Sequence, residues 1–266
     1  MTRPGEPKIV LALGAGGVRG LAHIGVLQVF REEGIPIHAI AGTSMGAMVG
    51  VAFGAGSDLY YLEKLVEFLP WQDFIDIGIH RMGLVEGDRV LELIRILTKE
   101  KRLEELTLPV WVVATNLQTG QEVVFTEGRI DLAVRASISI PGFFAPVIYE
   151  NRILVDGGVV AGVPVTVARR MGPDFVIAVH VAHDFKRAQP KNMVDVLLQT
   201  VDIMGNRLDT DQIMQADLVI TPDVGNVGTL ELNRSKECIQ KGRDAARKVL
   251  PAIHRLLNSW EQTGTE

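Results

Sequence analysis

The chain has 266 residues, 47% of them apolar and 22% charged, so it has enough apolar material for the core of one large globular domain. Acidic and basic residues are interspersed and give a formal net charge of -5, which excludes the basic surface of a nucleic-acid-binding protein. The single cysteine excludes an internal disulfide framework. Because the N-terminus also leads directly into a strand and not into the apolar run of a signal peptide, we expect a cytoplasmic protein.

The first predicted elements are a strand over residues 9–13 and a helix over residues 21–30, joined by a glycine-rich turn. The turn reads Gly14-Ala15-Gly16-Gly17-Val18-Arg19-Gly20. The N–H groups of such a turn bind an anion, here either a dinucleotide pyrophosphate or the oxyanion of a tetrahedral intermediate. A dinucleotide-binding turn would have glycine in place of Arg19 and an acidic residue at the end of the next strand. The sequence has neither, which favours the oxyanion and leaves a nucleotide-binding protein as the first alternative.

The second predicted strand leads into a Gly-x-Ser-x-Gly turn. An apolar run over residues 37–41 is followed by Gly42-Thr43-Ser44-Met45-Gly46 and by a helix pattern of small residues. Such a strand-to-helix elbow presents its serine for attack, and the two glycines avoid collisions with the strand and the helix. The sequence therefore predicts Ser44 as a nucleophile, with the amides of the next helix directed toward it. The uncharged stretch 35–56 leaves a transmembrane helix as an alternative, although no Lys/Arg cluster flanks it.

Apolar spacing predicts two further helices, over residues 60–68 and 87–97. The segment Leu69–Ile79 between them is apolar but broken by proline and glycine, and it forms either a lid and acyl-chain wall or ordinary core packing. We expect the helix over residues 87–97, capped by Asp88, to face the core. Its alternative is an amphipathic helix on a membrane surface.

The middle of the chain predicts a strand over residues 110–115, a hairpin partner over residues 121–126 and a short helix over residues 130–137. The Phe-Phe-Ala-Pro-Val loop of residues 143–147 would then offer apolar surface near Ser44. A fatty acyl chain would pack against such a wall, although two phenylalanines in a loop also serve as core anchors.

An acidic residue, Asp156, ends an apolar strand predicted over residues 153–155 and precedes two glycines. On its own this pattern is typical of an Asp-Gly turn. Together with the glycine turn and the Ser44 elbow, it favours a carboxylate that accepts the serine proton directly. Burial beside an acyl pocket would raise the pKa of this carboxyl and suit it to that task. A conventional triad with His180 or His183 as the base is the alternative.

The C-terminal part of the chain again alternates between strands and helices. Strands are predicted over residues 175–179 and 217–221, and helices over residues 193–213, 235–250 and, beyond Pro251, 252–260. Because strands that alternate with helices form a mainly parallel sheet covered on both faces, we predict an α/β fold. Its expected form is a single-domain three-layer α/β/α arrangement with the nucleophile elbow after the second strand.

Three motifs occur in a defined order, with supporting matches over residues 20–27 and 135–147: Gly16-Gly17-Val18-Arg19-Gly20, Gly42-Thr43-Ser44-Met45-Gly46 and Asp156-Gly157-Gly158. In this order they resemble the patatin-like phospholipase family, most closely its bacterial branch related to neuropathy target esterase. The resemblance implies a patatin-like acyl hydrolase domain over residues 8–222. Residues 223–266 would form a C-terminal helical extension that packs on the same domain.

The same resemblance implies a serine hydrolase of lipid esters, either phospholipid or lysophospholipid. Ser44 and Asp156 would act as a dyad without a histidine. Three turn residues would supply oxyanion-hole amides: Gly16, Gly17 and Val18. Arg19 would either contact a phosphate headgroup or brace the turn.

The expected partner is a lipid or acyl-ester substrate, with no cofactor, metal or nucleic acid. Peripheral contact with a membrane and the oligomeric state stay open. A non-catalytic acyl- or lipid-binding regulator on the same scaffold is the second alternative.

Overall fold

The computed structural model describes residues 6–68, 77–80, 82–182, 184 and 190–263. Its strands are β1 (Ile9–Leu13), β2 (Ala39–Thr43), β3 (Ile77–His80), β4 (Gly83–Val85), β5 (Val110–Asn116), β6 (Glu122–Phe125), β7 (Val147–Tyr149), β8 (Arg152–Asp156), β9 (Phe175–Val179) and β10 (Leu218–Ile220). Its α-helices are α1 (Ala22–Glu32), α2 (Met45–Gly54), α3 (Leu59–Phe68), α4 (Asp88–Thr98), α5 (Ile130–Ser137), α6 (Val165–Arg170), α7 (Met193–Ile213) and α8 (Ser235–Thr263). Short 3-10 helices cover Gly17–Leu21, Leu103–Glu105, Gly157–Val159 and Leu232–Arg234.

Among the described residues, eight strands form one sheet in the order β10-β9-β1-β2-β5-β8-β7, with β6 paired to β5. The pairings that join β10, β9, β1, β2 and β5 are parallel, whereas β6, β7 and β8 pair in antiparallel fashion. Strands β3 and β4 form a separate antiparallel pair. The predicted α/β fold with a mainly parallel central sheet is therefore confirmed.

The central strands are buried on both faces, so alternate residues of one strand enter different cores. In β1, Ile9, Leu11 and Leu13 belong to a large core that they share with α1, α2 and α8. Val10 and Ala12 belong to a smaller core that they share with α6. Helices therefore cover both faces of the sheet, which gives the three predicted layers.

The strand register places three loops at one end of the sheet. Strands β1 and β2 are adjacent and parallel, so the turns that follow them lie side by side. In β5, Val113 lies opposite Thr43 and Ala114 lies opposite Asp156. Asp156 therefore ends its antiparallel strand at the level where β2 passes into the Ser44 elbow.

Helix α8 runs through Pro251 without interruption, so the prediction of two separate helices is wrong. Proline lacks the N–H of a helix interior and usually breaks the helix. Here the backbones of α8 and α1 approach so closely that a Cβ on Gly25 or Gly242 would collide with the opposite helix. Residues on both sides of the proline, Ala246 and Ile253, are buried in the large core, which favours a continuous helix.

Two expectations for the first half of the chain need correction. Of the segment Leu69–Ile79, residues 69–76 lie outside the described residues, and the last three belong to β3, because β4 supplies a hairpin partner that the local pattern did not reveal. The stretch 35–56 folds as β2, the elbow and α2, so the transmembrane alternative is wrong. Within the described residues, no helix is both long enough and apolar enough to span a bilayer.

Candidate active site

Ser44 lies in a tight turn between β2 and α2. Its φ of 53° and ψ of -122° are rarely adopted by L-residues, at a cost of about 1–3 kcal/mol. A Cβ on Gly42 would lie 2.6 Å from the Cα of Ala47. A Cβ on Gly46 would collide with the carbonyl group of Leu13. The two glycines therefore allow the strand and the helix to approach at the elbow.

The Ser44 hydroxyl donates a hydrogen bond of 2.6 Å to Oδ2 of Asp156. Both residues are buried, with 4% and 5% of their surfaces exposed. The other carboxylate oxygen of Asp156 accepts the N–H of Gly158 at 2.7 Å. Burial raises the pKa of Asp156 to about 7, against the effect of these two hydrogen bonds. The carboxylate is thus more basic than an exposed one and contacts the hydroxyl that it would deprotonate.

His180, one of the two alternative bases, lies beside a different carboxylate, that of Asp209. Nε2 of His180 lies 4.0 Å from Oδ2 of Asp209, and burial lowers the pKa of this imidazole. The group in contact with the Ser44 hydroxyl is the Asp156 carboxylate. His183 lies outside the described residues. Within the described ranges, no cluster of three or more His, Cys, Asp or Glu side chains is arranged to hold a metal ion.

Ser137 also holds the elbow, although the sequence analysis did not single it out. Its hydroxyl oxygen accepts the N–H of Ser44 at 2.8 Å, and its O–H donates to the carbonyl oxygen of Val113 at 2.6 Å. Two residues further on, the carbonyl oxygen of Ser139 accepts the N–H of Asp156 at 2.9 Å. The last residue of α5 and the segment that follows it therefore hold the backbones of both predicted catalytic residues.

Two glycines of the first turn lie beside Ser44. Gly16 has a φ of 154° and Gly17 a φ of 54°, both in the region that favours glycine. Both residues line a cavity that also contains Ser44. In the described part of the chain, no hydrogen bond engages the N–H of Gly16 or Gly17. Both amides are therefore without a protein acceptor in the described part of the chain, and their role as oxyanion donors stays a prediction.

The amide of Val18, the third predicted oxyanion donor, already has a backbone acceptor. Its N–H already donates to the carbonyl oxygen of Thr229 at 3.0 Å. On the other side of the turn, the N–H of Ala15 donates to the carbonyl oxygen of Gly162 at 2.8 Å. These two bonds anchor the turn at both ends, and the N–H of Val18 is one of the two anchors.

The buried side chain of Arg19 supports the glycine turn. It is 2% exposed, and its guanidinium donates to the Val227 carbonyl at 3.1 Å and to the Thr229 hydroxyl at 3.2 Å. It also pairs with Asp202 of α7 at 2.9 Å. Of the two roles left open for Arg19, these contacts favour bracing over contact with a phosphate headgroup.

Two cavities meet at Ser44. We call the first the apolar cavity; its volume is about 110 Å³, and its lining includes Met45, Met48, Leu93, Ile138, Phe143 and Phe144. We call the second the polar cavity; its volume is about 70 Å³, and its lining includes Asp156, His180, Asp202, Asn206 and Asp209. Each is several times larger than the about 10–15 Å³ that one water molecule needs. The predicted wall of residues 143–147 thus contributes both phenylalanines to the apolar cavity.

A comparison with models of known protein families matches residues 11–169 to the family described as patatin-like phospholipase. The match covers more than half of the chain. The chain belongs to the patatin-like phospholipase family. The resemblance that the three sequence motifs indicated is therefore confirmed, and membership supports lipid acyl hydrolysis as the class of activity.

Relatives in the patatin-like phospholipase family include uncharacterized proteins and domains of much larger chains. An uncharacterized NTE family protein of Mycobacterium tuberculosis is 39% identical over 183 residues, which cover 65% of this chain and 49% of the relative. A patatin-like phospholipase domain-containing protein of Caenorhabditis elegans is 32% identical, over 94% of this chain and 21% of the relative. The chain thus spans about half the length of the mycobacterial relative and less of the nematode one.

Solved structures share the fold of this family member at low sequence identity. VipD from Legionella pneumophila matches with a TM-score of 0.65 and 16% identity, over 94% of this chain and 68% of VipD. The type III effector protein ExoU matches with a TM-score of 0.53 and 13% identity, over 94% of this chain and 54% of ExoU. These similarities confirm the predicted patatin-like architecture.

Proposed function

We propose that the chain is a serine hydrolase of lipid acyl esters that works through a dyad of Ser44 and Asp156. The observation that carries this proposal is the 2.6 Å hydrogen bond from the Ser44 hydroxyl to a buried carboxylate, at the junction of an apolar and a polar cavity. Family membership supports the reaction class. The amides of Gly16 and Gly17 supply the proposed oxyanion hole.

In the first half of the proposed reaction, Ser44 Oγ attacks the ester carbonyl carbon while its proton passes to Oδ2 of Asp156. The carbonyl oxygen becomes the oxyanion, which the amides of Gly16 and Gly17 stabilise by hydrogen bonds. Loss of one such donor typically lowers the rate by about 10²–10³-fold. The bond to the alcohol oxygen then breaks, and this oxygen takes the proton from Asp156, which leaves an acyl-enzyme.

In the second half, a water molecule attacks the acyl-enzyme. Asp156 takes a proton from the water, and the oxyanion forms again beside the same amides. The bond to Ser44 Oγ then breaks, and Oγ recovers the proton from Asp156. A fatty acid leaves, and both side chains return to their initial protonation states.

The proposed position of the acyl chain is the apolar cavity. Met45, Met48 and Leu93 face it from α2 and α4, and the edge-to-face pair of Phe143 and Phe144 closes one side. Burying an acyl chain there contributes about 0.8 kcal/mol for each methylene group. Binding energy at this place therefore depends on chain length and not on the leaving alcohol.

The experiment that tests the proposal combines a fluorophosphonate probe with turnover of p-nitrophenyl esters. We expect covalent labelling and turnover in the wild type, and loss of both in Ser44→Ala. Asp156→Asn should lower turnover by at least about 10³-fold in a folded protein. Ser57→Ala, which removes a serine hydroxyl bonded to the Leu97 carbonyl and remote from the cavities, is the matched control and should keep both signals.

The same assays separate the alternatives. A non-catalytic lipid-binding protein would bind fatty acid without turnover or labelling, and a nucleotide-binding protein would bind nucleotide tightly without labelling. A triad would show itself if replacing both His180 and His183 by alanine lowered turnover as much as Asp156→Asn does. We expect this double variant to keep most of its activity.

We also propose that the chain contacts lipid aggregates peripherally, through the outer face of α7. This helix directs polar residues such as Asp202 and Asp209 inward, toward the polar cavity. Its outer face exposes large apolar side chains: Met193, Val196, Leu197, Ile203, Met204 and Leu208. An apolar stripe of this kind, on a helix that lines one of the two cavities at Ser44, is typical of an interfacial helix.

A further inference from the structure

The polar cavity lies on the side of Ser44 from which the leaving alcohol must depart. Asp156 lines the polar cavity, whereas the described lining of the apolar cavity does not include it. In the proposed reaction, the alcohol oxygen takes its proton from Asp156, so this oxygen must lie within hydrogen-bond reach of that carboxyl group. The substrate therefore divides at Ser44: the acyl chain enters the apolar cavity and the alcohol enters the polar one.

The described lining of the polar cavity contains more carboxyl groups than cations. Asp202 and Asp209, both on α7, line it in addition to Asp156. Arg19 is the cation of this lining, and Asp202 already pairs with it at 2.9 Å. Burial lowers the pKa of His180, so this imidazole is uncharged at neutral pH. The lining therefore has an excess of negative charge.

Asp209 is the main source of this excess. Its Oδ1 accepts the N–H of Val163 at 2.9 Å, and the N–H of Gly162 also donates to the carboxylate. Among the described residues, its ion-pair contact is with the imidazole of His180, at 4.0 Å. Burial raises the pKa of Asp209 to about 6, which leaves it ionised at pH 8. A full negative charge is thus fixed beside the place where the leaving alcohol would lie.

We propose that the polar cavity binds the leaving alcohol and selects an uncharged polyol, such as glycerol, over an alcohol that carries an anionic phosphate. This inference rests on the proposed function, because it names the leaving group of the same reaction. Hydroxyl groups of a polyol can donate to the Asp209 carboxylate and exchange hydrogen bonds with the Asn206 amide. A phosphate would meet like charge and would have to compete with Asp202 for Arg19.

The test compares two esters with the same acyl chain, a 1-acylglycerol and the corresponding 1-acylglycerol 3-phosphate. Both are presented to the full chain in micelles of an uncharged detergent at pH 8. We expect kcat/KM for the glycerol ester to exceed that for the phosphate ester by at least about tenfold, and higher salt to narrow the difference. Equal values, or a preference for the phosphate ester, overturn the proposal.

Variants of α7 show whether the charge of the cavity causes the selection. Asp209→Asn removes the charge, and Val201→Lys adds a cation to the lining while it leaves the hydrogen bonds of Asp209 intact. Each should lower the ratio of the two kcat/KM values by at least about threefold, mainly through faster turnover of the phosphate ester. Asp211→Asn, the same change on the exposed side of the helix, is the matched control and should leave the ratio unchanged. An unchanged ratio in a folded Val201→Lys protein contradicts the proposal.

A p-nitrophenyl ester of the same fatty acid separates this inference from the proposed function. If the wild type hydrolyses no ester faster than Ser44→Ala does, the proposed function fails. If the wild type hydrolyses the p-nitrophenyl ester but does not favour the glycerol ester over the phosphate ester, the hydrolase stands and the selection alone fails.

Discussion

The carbonyl oxygen of Thr229 lies within colliding distance of the position that a Cβ on Gly17 would take, and it also accepts the N–H of Val18 at 3.0 Å. One backbone group from the segment before α8 therefore sets both the identity of one turn residue and the direction of the next amide. Because the Val18 amide is engaged in this way, the N–H groups of Gly16 and Gly17, which line the cavity beside Ser44, remain as the proposed oxyanion donors. The glycine turn is thus shaped by a distant part of the chain.

Replacing Gly17 by alanine should impair the reaction more than the fold. A Cβ there would strain a backbone with a φ of 54° and would collide with Thr229, so the turn must move. We expect kcat to fall by at least about tenfold through loss of an oxyanion donor. Turnover of p-nitrophenyl esters and thermal unfolding of the purified variant measure the two effects.

The control for this change is Gly34→Ala. Gly34 has a φ of 66°, but nothing lies within 4 Å of the position of its Cβ. The variant should therefore lose about 1 kcal/mol of stability from the same kind of backbone strain and keep its kcat. If a folded Gly17→Ala protein also kept the kcat of the wild type, the glycine turn would not be the oxyanion hole.

Asp156 should set the pH dependence of turnover. The ionised carboxylate is the proposed base, and burial raises its pKa to about 7, so kcat/KM should rise with pH to a plateau, with a midpoint near pH 7. A His180 base would instead give a midpoint below about 6.5, because burial lowers the pKa of that imidazole. A pH profile between pH 5 and 9 with a neutral ester distinguishes the two bases.

The same carboxyl group should lower the stability of the protein at high pH. Its pKa rises from 3.8 to about 7 in the folded state, so the folded state binds the proton more tightly than the unfolded one. The unfavourable contribution therefore grows as the pH rises from about 4 to about 7 and is complete above that. We expect Asp156→Asn to raise the free energy of unfolding relative to the wild type, and to do so more at pH 8 than at pH 4.

The quantity that tests this prediction is the difference in the free energy of unfolding between Asp156→Asn and the wild type, not the value for the wild type alone. His23 lies with Nε2 2.7 Å from the Gly14 carbonyl oxygen, and burial lowers its pKa to about 4. The effect of His23 on stability has the opposite sign. The unfolded state binds a proton at this imidazole more tightly than the folded state does, so the protein loses stability as the pH falls. Urea unfolding of both proteins at pH 4 and pH 8 cancels the contribution of His23. The same difference at both pH values would contradict the raised pKa.

Short sequence motifs were sufficient to predict the elbow, the glycine turn and Asp156 as neighbours. The glycine turn and the elbow follow parallel strands, which bring their turns to one edge of the sheet. Asp156 ends an antiparallel strand, and the family resemblance alone predicted its place beside them. The roles of Val18 and Arg19 could not be predicted in the same way. The partners of Arg19, Asp202 and Thr229, lie 183 and 210 residues further along the chain, and no local pattern encodes such contacts.

Prediction from local patterns has the same limit for whole elements, as β3, β4 and the continuous helix α8 show. Local patterns predicted a loop where β3 pairs with β4, and a break where α8 passes Pro251. In both cases packing or pairing with another element outweighs the local preference of glycine or proline. The local rules are most reliable where a motif has its own backbone requirement, as the glycines around Ser44 do.

Ser137 should act on catalysis by positioning the backbone of Ser44. Ser137→Ala removes the acceptor of the Ser44 N–H, and we expect kcat to fall by about tenfold or more with little change in KM. The control is Ser139→Ala, another fully buried serine, whose hydroxyl bonds to the Arg135 carbonyl instead. Both variants should lose about 1–3 kcal/mol of stability, measured by urea unfolding, but only the first should lose turnover. Equal loss of kcat in the two would indicate a purely structural role.

The outer face of α7 should carry the contact with lipid aggregates. Met204 is 64% exposed, and Leu208 follows it by one helical turn on the same face. Met204→Glu places a charge in this apolar stripe. We therefore expect the variant protein to partition onto uncharged phosphatidylcholine vesicles at least about tenfold less than the wild type does. Sedimentation with vesicles measures the partition, and turnover of a soluble ester shows that the site is intact.

The control for this face is Asn258→Glu, which adds the same charge to an exposed polar position of another helix, α8. It should leave vesicle binding close to that of the wild type, because no apolar side chain is lost. If both variants bound vesicles as well as the wild type does, α7 would not be the lipid contact. If Met204→Glu instead changed the mass of the protein in light scattering without vesicles, the apolar stripe would serve to pair two copies of the chain.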